Sequence, residues 1–127
     1  SVFDLRVLRP LKLDTIINSV NKTGRLITID LGFKKFGIGA EIVSEVTANC
    51  FSTLKAAPVR LGMPEHPSPS SRGYLEGLYP DSILILKEAA KILNIDSNKL
   101  NDTLFKIKER KKHIPIDVPD PKFKGPF

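Results

Sequence analysis

Apolar and polar positions along this chain alternate between two rhythms. VFDLRVL, residues 2–8, sets apolar and β-branched residues at alternate points, the two-residue rhythm of a strand, until Pro10 breaks it. Leu13, Ile16, Ile17 and Val20 then follow at helical spacing. That predicts a short helix over 14–23, with Asp14 as a cap near its start. Gly24 suits the left-handed residue after such a helix, and Lys22 and Arg25 complement its negative end. RLITID, 25–30, is a second strand, apolar on both faces, as in parallel sheets covered on both sides. LGFKKFG, 31–37, makes the next loop. From Ile38 the helical period returns in Ile42, Val46, Cys50 and Leu54, with Val43 and Phe51 beside them and Glu41 and Glu45 near the positive end. Pro58 closes that element, and Val59 to Met63 reads as a short third strand.

Strand, helix, strand, helix, strand implies parallel strands, right-handed crossovers and helices on the sheet faces. The fold class expected is therefore α/β, a three-layer α/β/α arrangement around a mostly parallel sheet. Residues 64–80, PEHPSPSSRGYLEGLYP, are too rich in proline, serine and glycine to continue the rhythm. A loop of that length in a small domain is usually functional or an interface segment. SILILKEAAKIL, 82–93, is a helix capped by Asp81 or Ser82, ended by Asn94, and apolar nearly all round, so it should be well buried. A further helix starts at Asp96 or Ser97, buries Leu100, Leu104 and Ile107, and carries Arg110, Lys111 and Lys112 at its C-terminal end. HIPIDVPDPKFKGPF, 113–127, holds four prolines and predicts an extended arm. Its apolar anchors Ile114, Ile116, Val118, Phe123 and Phe127 need a surface to lie on, in this domain or a neighbour. The organisation expected is a domain over 1–94, an additional helix over 95–112, and the arm over 113–127. No internal repeat is visible.

Composition narrows the class without naming a reaction. A chain of 127 residues fits one domain, and 41% hydrophobic with 27% charged residues is ordinary for a globular protein. No stretch approaches the ~18 consecutive apolar residues of a membrane span. The chain opens on Ser1 without a charged region followed by an apolar one, which reads as a cut or a boundary and not a signal peptide. The lone Cys50 excludes an internal disulfide and fits a reducing compartment. Net charge is +6, concentrated in KIKERKK, 106–112, so it describes a tail more than the domain.

Candidate chemistry is sparse. Gly37 and Gly39 flank Ile38 between a strand and a helix, where a helix N-terminus favours anions. Position 42 is Ile where a dinucleotide fingerprint needs a third glycine, so a packing role is preferred and an anion site at Gly37, Ile38 and Gly39 is the secondary reading. His66 and His113 lack further ligands at metal spacing. His66, between prolines, reads as a solvent or interface histidine and not an acid–base group. The serines of 68–71 show no G-x-S-x-G pattern, and Cys50 sits on an apolar helix face as an inert thiol. No spacing singles out a carboxylate pair among Glu41, Glu45, Glu65 and Glu76. The basic run 106–112 lacks the interleaved aromatics of a nucleic-acid surface, which disfavours that partner.

Several ordered motifs nevertheless form a specific pattern. Asp4, Leu5, Arg6, Leu8, Arg9, Pro10 and Leu11 stand in DLRVLRPL. Ser19, Val20, Lys22, Thr23, Gly24 and Arg25 stand in SVNKTGR. Asp30 and Gly32 mark a turn, followed by Gly37, Gly39, Ala40, Glu41 and Ile42 and then by the proline-rich loop. Together, over about residues 2 to 93, these resemble the C-terminal, transketolase-like domain of the beta subunit of thiamine-dependent 2-oxo acid dehydrogenases, the pyruvate, branched-chain and acetoin enzymes. Leu31 and Phe33 depart from the glutamate and tryptophan usual in that family, and the arm after Ile114 lies outside the resemblance.

The resemblance implies a division of labour. Family members place a strand and helix of this same domain before the counterpart of VFDLRVL, and before those a pyrimidine-binding domain that carries the thiamine-contacting glutamate. Thiamine diphosphate and Mg would then serve the full enzyme, with none bound by this fragment and no catalytic residue supplied by it. Implied partners are the remainder of the beta subunit, the alpha subunit, a second beta subunit and the lipoyl acyltransferase core, in the cytoplasm or a mitochondrial matrix, without a membrane. Docking to that core falls on Phe127 at the terminus, helped by Asp117, Asp120 and Phe123. The alternatives are the matching domain of a transketolase or deoxyxylulose-phosphate synthase, which SVNKTGR disfavours, and a stand-alone nucleic-acid-binding module.

Overall fold

In a computed structural model, residues 1–71 and 74–114 are described. Helix α1 spans Asp14–Thr23, strand β1 Ile27–Phe33 and helix α2 Ile38–Cys50, followed by a 3₁₀ turn at Phe51–Thr53. Strand β2 spans Val59–Met63, helix α3 Ser82–Leu93 and helix α4 Ser97–Lys111. β1 and β2 pair in parallel, with Ile27, Thr28 and Ile29 opposite Val59, Arg60 and Leu61. The α/β class with a parallel sheet is thus borne out, carried among the described residues by two strands and four α-helices.

The core lies where the helical stripes meet. Leu13, Ile16 and Val20 on and before α1 close against Ile42, Val46 and Cys50 of α2, and Leu5, Leu11, Ile17, Leu26, Ile38 and Leu54 pack around them. Each stripe repeats every three or four residues, which keeps one helix face turned to the other. Burial of Cys50 among these side chains agrees with its reading as an inert thiol.

The helix ends follow local chemistry. Gly24 takes φ 71°, and its N–H donates to the Val20 carbonyl. Asp81 caps α3 by accepting the Leu84 N–H, Asn94 ends it in the left-handed region, and Asp96 caps α4 by accepting the Asn98 N–H. At α1 the expectation needs correcting. Leu13 is the cap residue and makes no side-chain bond, while Asp14 already lies inside the first turn, where its charge still suits the positive helix end.

Four further readings change. Residues 2–8 form no strand; apart from Leu5 they are exposed, because an alternating pattern becomes a strand only when a neighbour accepts its ladder. β1 starts later and runs further than 25–30, through Gly32 and Phe33, since after a register irregularity between Ile29 and Phe33 it pairs with β2 again at Met63. α2 stops at Cys50, and the last turn tightens to 3₁₀ before Leu54. α3 is not well buried: Ala90 alone is fully covered and Leu93 is exposed. Along α4, Leu100, Leu104 and Ile107 are the half-buried positions, on the face read from their spacing.

Candidate functional site

SVNKTGR makes a junction. Thr23 Oγ1 donates to the Ser19 carbonyl at 2.9 Å, and the Lys55 N–H donates to the Gly24 carbonyl at 2.8 Å. A Cβ at Gly24 would stand 2.6 Å from Lys55 Cγ and 2.7 Å from the Thr53 carbonyl oxygen. Arg25 then reaches across the fold. Its Nε donates to the Ile92 carbonyl at 2.7 Å, and its Nη1 donates to the Thr23 carbonyl at 3.1 Å. One guanidinium thereby serves the C-terminal carbonyls of α1 and of α3, where cations are favoured. Spacing pointed to the first helix only; the second lies 67 residues away in sequence. Arg25→Met keeps most of the apolar stem and removes both bonds. It is expected to cost about 1.5–3 kcal/mol, the range for a bond to a charged donor. A thermal melt within a degree of the native chain would count against this role.

At the carboxyl ends of the strands the β1–α2 and β2–α3 loops are stitched together. The Lys34 N–H donates to the Met63 carbonyl at 2.8 Å, Arg60 Nη1 donates to the Lys34 carbonyl at 3.0 Å, and Lys35 pairs with Glu65. Phe33, Lys35, Phe36, Gly37, Glu65, His66 and Pro67 line an open cleft there of about 670 Å³. Phe36 takes φ 57°, uncommon for a bulky residue, and is 98% exposed. His66 is exposed as expected, its Nδ1 3.1 Å from the Pro67 carbonyl oxygen.

Of the glycine pair, Gly37 is the extended cap residue of α2, and a Cβ on it would collide with the Phe33 carbonyl oxygen. A Cβ on Gly39 would stand 2.8 Å from Thr28 Oγ1, so this glycine lets α2 lie close on β1. Asp30 holds the Gly32 N–H at 3.1 Å through Oδ1, while its Oδ2 lies beside Gly37. A carboxylate of the protein itself therefore stands next to the N-terminus of α2.

The most exposed feature of the sheet was not legible as such. Ile29, Leu31 and Phe33 alternate along β1 and are 50%, 66% and 47% exposed, whereas Thr28, Asp30 and Gly32 between them are half-buried. Neither the remaining edge of β1 nor the apolar row beside it has a covering element among the described residues. Strand 25–30 was read as covered on both faces; here one face is bare. Glu41, Glu45 and Glu76 are exposed, as is His113 at the far end of α4. Asp117, Asp120, Phe123 and Phe127 lie outside the described residues.

This arrangement is a parallel α/β unit with its glycine-cushioned helix, its basic junction and a bare strand, and the model of the transketolase C-terminal domain matches residues 1–82. The chain belongs to that family. Among curated proteins it is similar to the mitochondrial pyruvate dehydrogenase E1 component subunit beta of Saccharomyces cerevisiae, 36% identical over 96 residues, 75% of this chain and 26% of that protein. The pyruvate dehydrogenase E1 component subunit beta of Bacillus subtilis is 38% identical over 92 residues, 72% of this chain and 28% of its own length. Acetoin:2,6-dichlorophenolindophenol oxidoreductase subunit beta of Cupriavidus necator is 37% identical over 90 residues, 71% and 26% respectively. The beta-subunit resemblance read from the motifs is borne out by these relatives, and the chain spans about a quarter of their length. No solved structure matches the chain.

Proposed function

We propose that this chain is the assembly domain of a thiamine diphosphate-dependent 2-oxo acid dehydrogenase beta subunit. Its work is to hold subunits together, and the decarboxylation and acyl transfer to lipoamide run on groups supplied elsewhere. The observation that carries this reading is the bare apolar row of β1 beside a free sheet edge, in a chain that matches one quarter of beta subunits. A contiguous exposed apolar row of this kind marks an interaction surface. The remainder of the beta subunit is the nearest candidate, and residues 2–8 are strand-patterned yet form no strand among the described residues. The cleft with Phe36 offers a second contact surface, toward the alpha subunit or a second beta subunit. Asp117, Asp120, Phe123 and Phe127 remain the residues proposed for the acyltransferase core.

The described residues do not suit thiamine diphosphate. Its diphosphate is anionic, and the carboxylate of Asp30 stands beside the N-terminus of α2, where an incoming phosphate would meet it. The cofactor is accordingly assigned to the rest of the enzyme, and Gly37 and Gly39 to packing.

Mixing tests the reading. The purified chain, combined with the portion of the Bacillus subtilis beta subunit outside the matched residues and with its alpha subunit, is expected to co-elute as one assembly on gel filtration. Alone, with thiamine diphosphate and Mg²⁺, it is expected to leave pyruvate and acetoin unchanged. Separate elution, or turnover by the chain alone, overturns the proposal.

A further inference from the structure

We infer that the outward face of α4 is a docking surface for an acidic protein segment that carries an apolar side chain among its carboxylates. Nothing of β1 enters, and α4 lies beyond residues 1–82, the part matched by the family model, so the assembly reading can fail without touching this surface. Residues 97–112 hold six cations and two carboxylates, a net +4 out of the whole chain's +6. Lys99, Lys106, Lys108, Arg110, Lys111 and Lys112 are all exposed. Among the described residues, Lys112 alone of these six has a carboxylate in reach, that of Glu109 at 3.9 Å. Helix stability does not explain the arrangement. Cations suit the last turn of a helix, which accounts for Lys108, Arg110 and Lys111. Lys99 stands in the first turn, at the positive end, where a cation is disfavoured. Lys106 and Arg110, and likewise Lys108 and Lys112, are like charges four residues apart, a spacing at which they repel each other. Carboxylates set against these pairs from outside remove that cost.

The layout of the face selects the partner. Leu100, Leu104 and Ile107 are the half-buried side of α4, which packs on α3. At the helical repeat, Lys99, Lys106 and Arg110 fall in one row on one flank of the outward side, spanning about 16 Å along the axis. Lys108 and Lys112 fall on the opposite flank. Phe105 lies between the two flanks and is 66% exposed. An exposed aromatic side chain ringed by charged ones has the anatomy of an interface centre and its rim. A lipid surface would need the apolar side of the helix, which α3 already occupies, so Phe105 would enter it by itself. A nucleic acid brings an unbroken run of phosphates, and Asp102 and Glu109, three residues before Phe105 and four after it, would meet them with like charge. A protein segment brings separate carboxylates. Those can face the cation rows while its apolar side chain meets Phe105, leaving Asp102 and Glu109 in water.

Fluorescence anisotropy tests this, with the full chain titrated into a fluorescein-labelled peptide that repeats Glu-Glu-Leu-Glu over about four helical turns. Saturable binding is expected at about 50 mM salt, weakening at least ~5-fold at about 300 mM. Lys106→Glu combined with Arg110→Glu is expected to weaken binding at least ~10-fold. Lys12→Glu combined with Lys34→Glu changes the net charge equally at exposed positions off α4 and is expected to weaken it less than ~3-fold. Phe105→Ser is expected to weaken binding ~5-fold and to leave its salt dependence unchanged. A peptide with serine in place of leucine is expected to bind the native chain ~5-fold less tightly and to be indifferent to Phe105→Ser. Every substituted residue is exposed, so unchanged circular dichroism spectra and melts separate lost binding from misfolding. Absence of binding at about 500 μM chain overturns the proposal. So do equal losses from the two charge-reversed pairs, binding indifferent to Phe105→Ser, or tighter binding to a random DNA duplex or to phosphatidylserine vesicles than to the leucine-bearing peptide.

Discussion

Val46→Asp is expected to abolish the cooperative unfolding transition of the chain. Val46 has no exposed surface and sits on the face of α2 that meets Ile16 and Val20 of α1. Among the described residues the core offers no buried polar or charged group to pair with a carboxylate there. The substitution removes two methyl groups from the α1–α2 contact and forces a charge, or a protonated acid without a partner, into it. Leaving a buried charge uncompensated costs several kcal/mol, against a total stability of about 5–15 kcal/mol for a domain of this kind. Val46→Ala makes the contrast: it removes the same methyl groups without the charge and is expected to lower stability by about 1–2.5 kcal/mol while preserving a single melt. Circular dichroism during heating distinguishes them. A Val46→Asp chain that melts cooperatively within a few degrees of the native one would mean that the α1–α2 contact does not organise the fold.

That contact was also the most legible part of the molecule. Positions 13, 16 and 20 and positions 42, 46 and 50 carry their periodicity in the sequence itself, because a helix repeats a face every three or four residues whatever lies opposite. End signals are equally local. Gly24, Asp81, Asn94 and Asp96 act on backbone groups within five residues, so their roles could be read before any packing was known. The strand at 2–8 failed for the opposite reason. Alternation states only what a segment would do beside a partner, and no described residue supplies one. Arg25 was half legible: its place at the end of α1 was local, but its bond to Ile92 depends on the end of α3 being brought beside the end of α1.

The candidate surface divides along the same line. RLITID was read as apolar on both faces, and that remains true of its chemistry. What the sequence could not state is that Ile29, Leu31 and Phe33 have no covering element among the described residues. The mismatch is itself informative. A strand with the composition of a fully covered one, standing bare, is where the assembly reading proposed above puts the contact with the rest of the subunit. The Lys35–Glu65 pair and the left-handed Phe36 were invisible for a related reason, since each depends on two loops being brought together at the ends of β1 and β2.

Gly37→Ala is expected to destabilise the chain by about 2–3 kcal/mol and to weaken its co-elution with the rest of the beta subunit. Three effects compete at this position. Alanine reduces the backbone freedom of the unfolded chain, a gain of about 0.4–1 kcal/mol for alanine. It is a poorer cap residue than glycine, which offsets much of that gain. The deciding effect is steric. Gly37 is already extended, at φ −78°, so the conformation itself suits alanine, but the new methyl group would press on the Phe33 carbonyl oxygen. That atom belongs to the backbone at the end of β1 and cannot swing aside as a side chain can. Relief requires the β1–α2 loop to move, and with it the Lys34 bond to Met63 and the walls of the cleft. Overpacking of that kind costs about 1–3 kcal/mol. Gly39→Ala meets the hydroxyl of Thr28, a side-chain atom that can rotate, and is expected to cost less than half as much. For a domain of this size 2–3 kcal/mol lowers the melting temperature by roughly 6–15 °C. If Gly37→Ala melts no earlier than Gly39→Ala, the close approach of Gly37 to Phe33 is not what holds α2 at the end of β1, and the cleft has some other support.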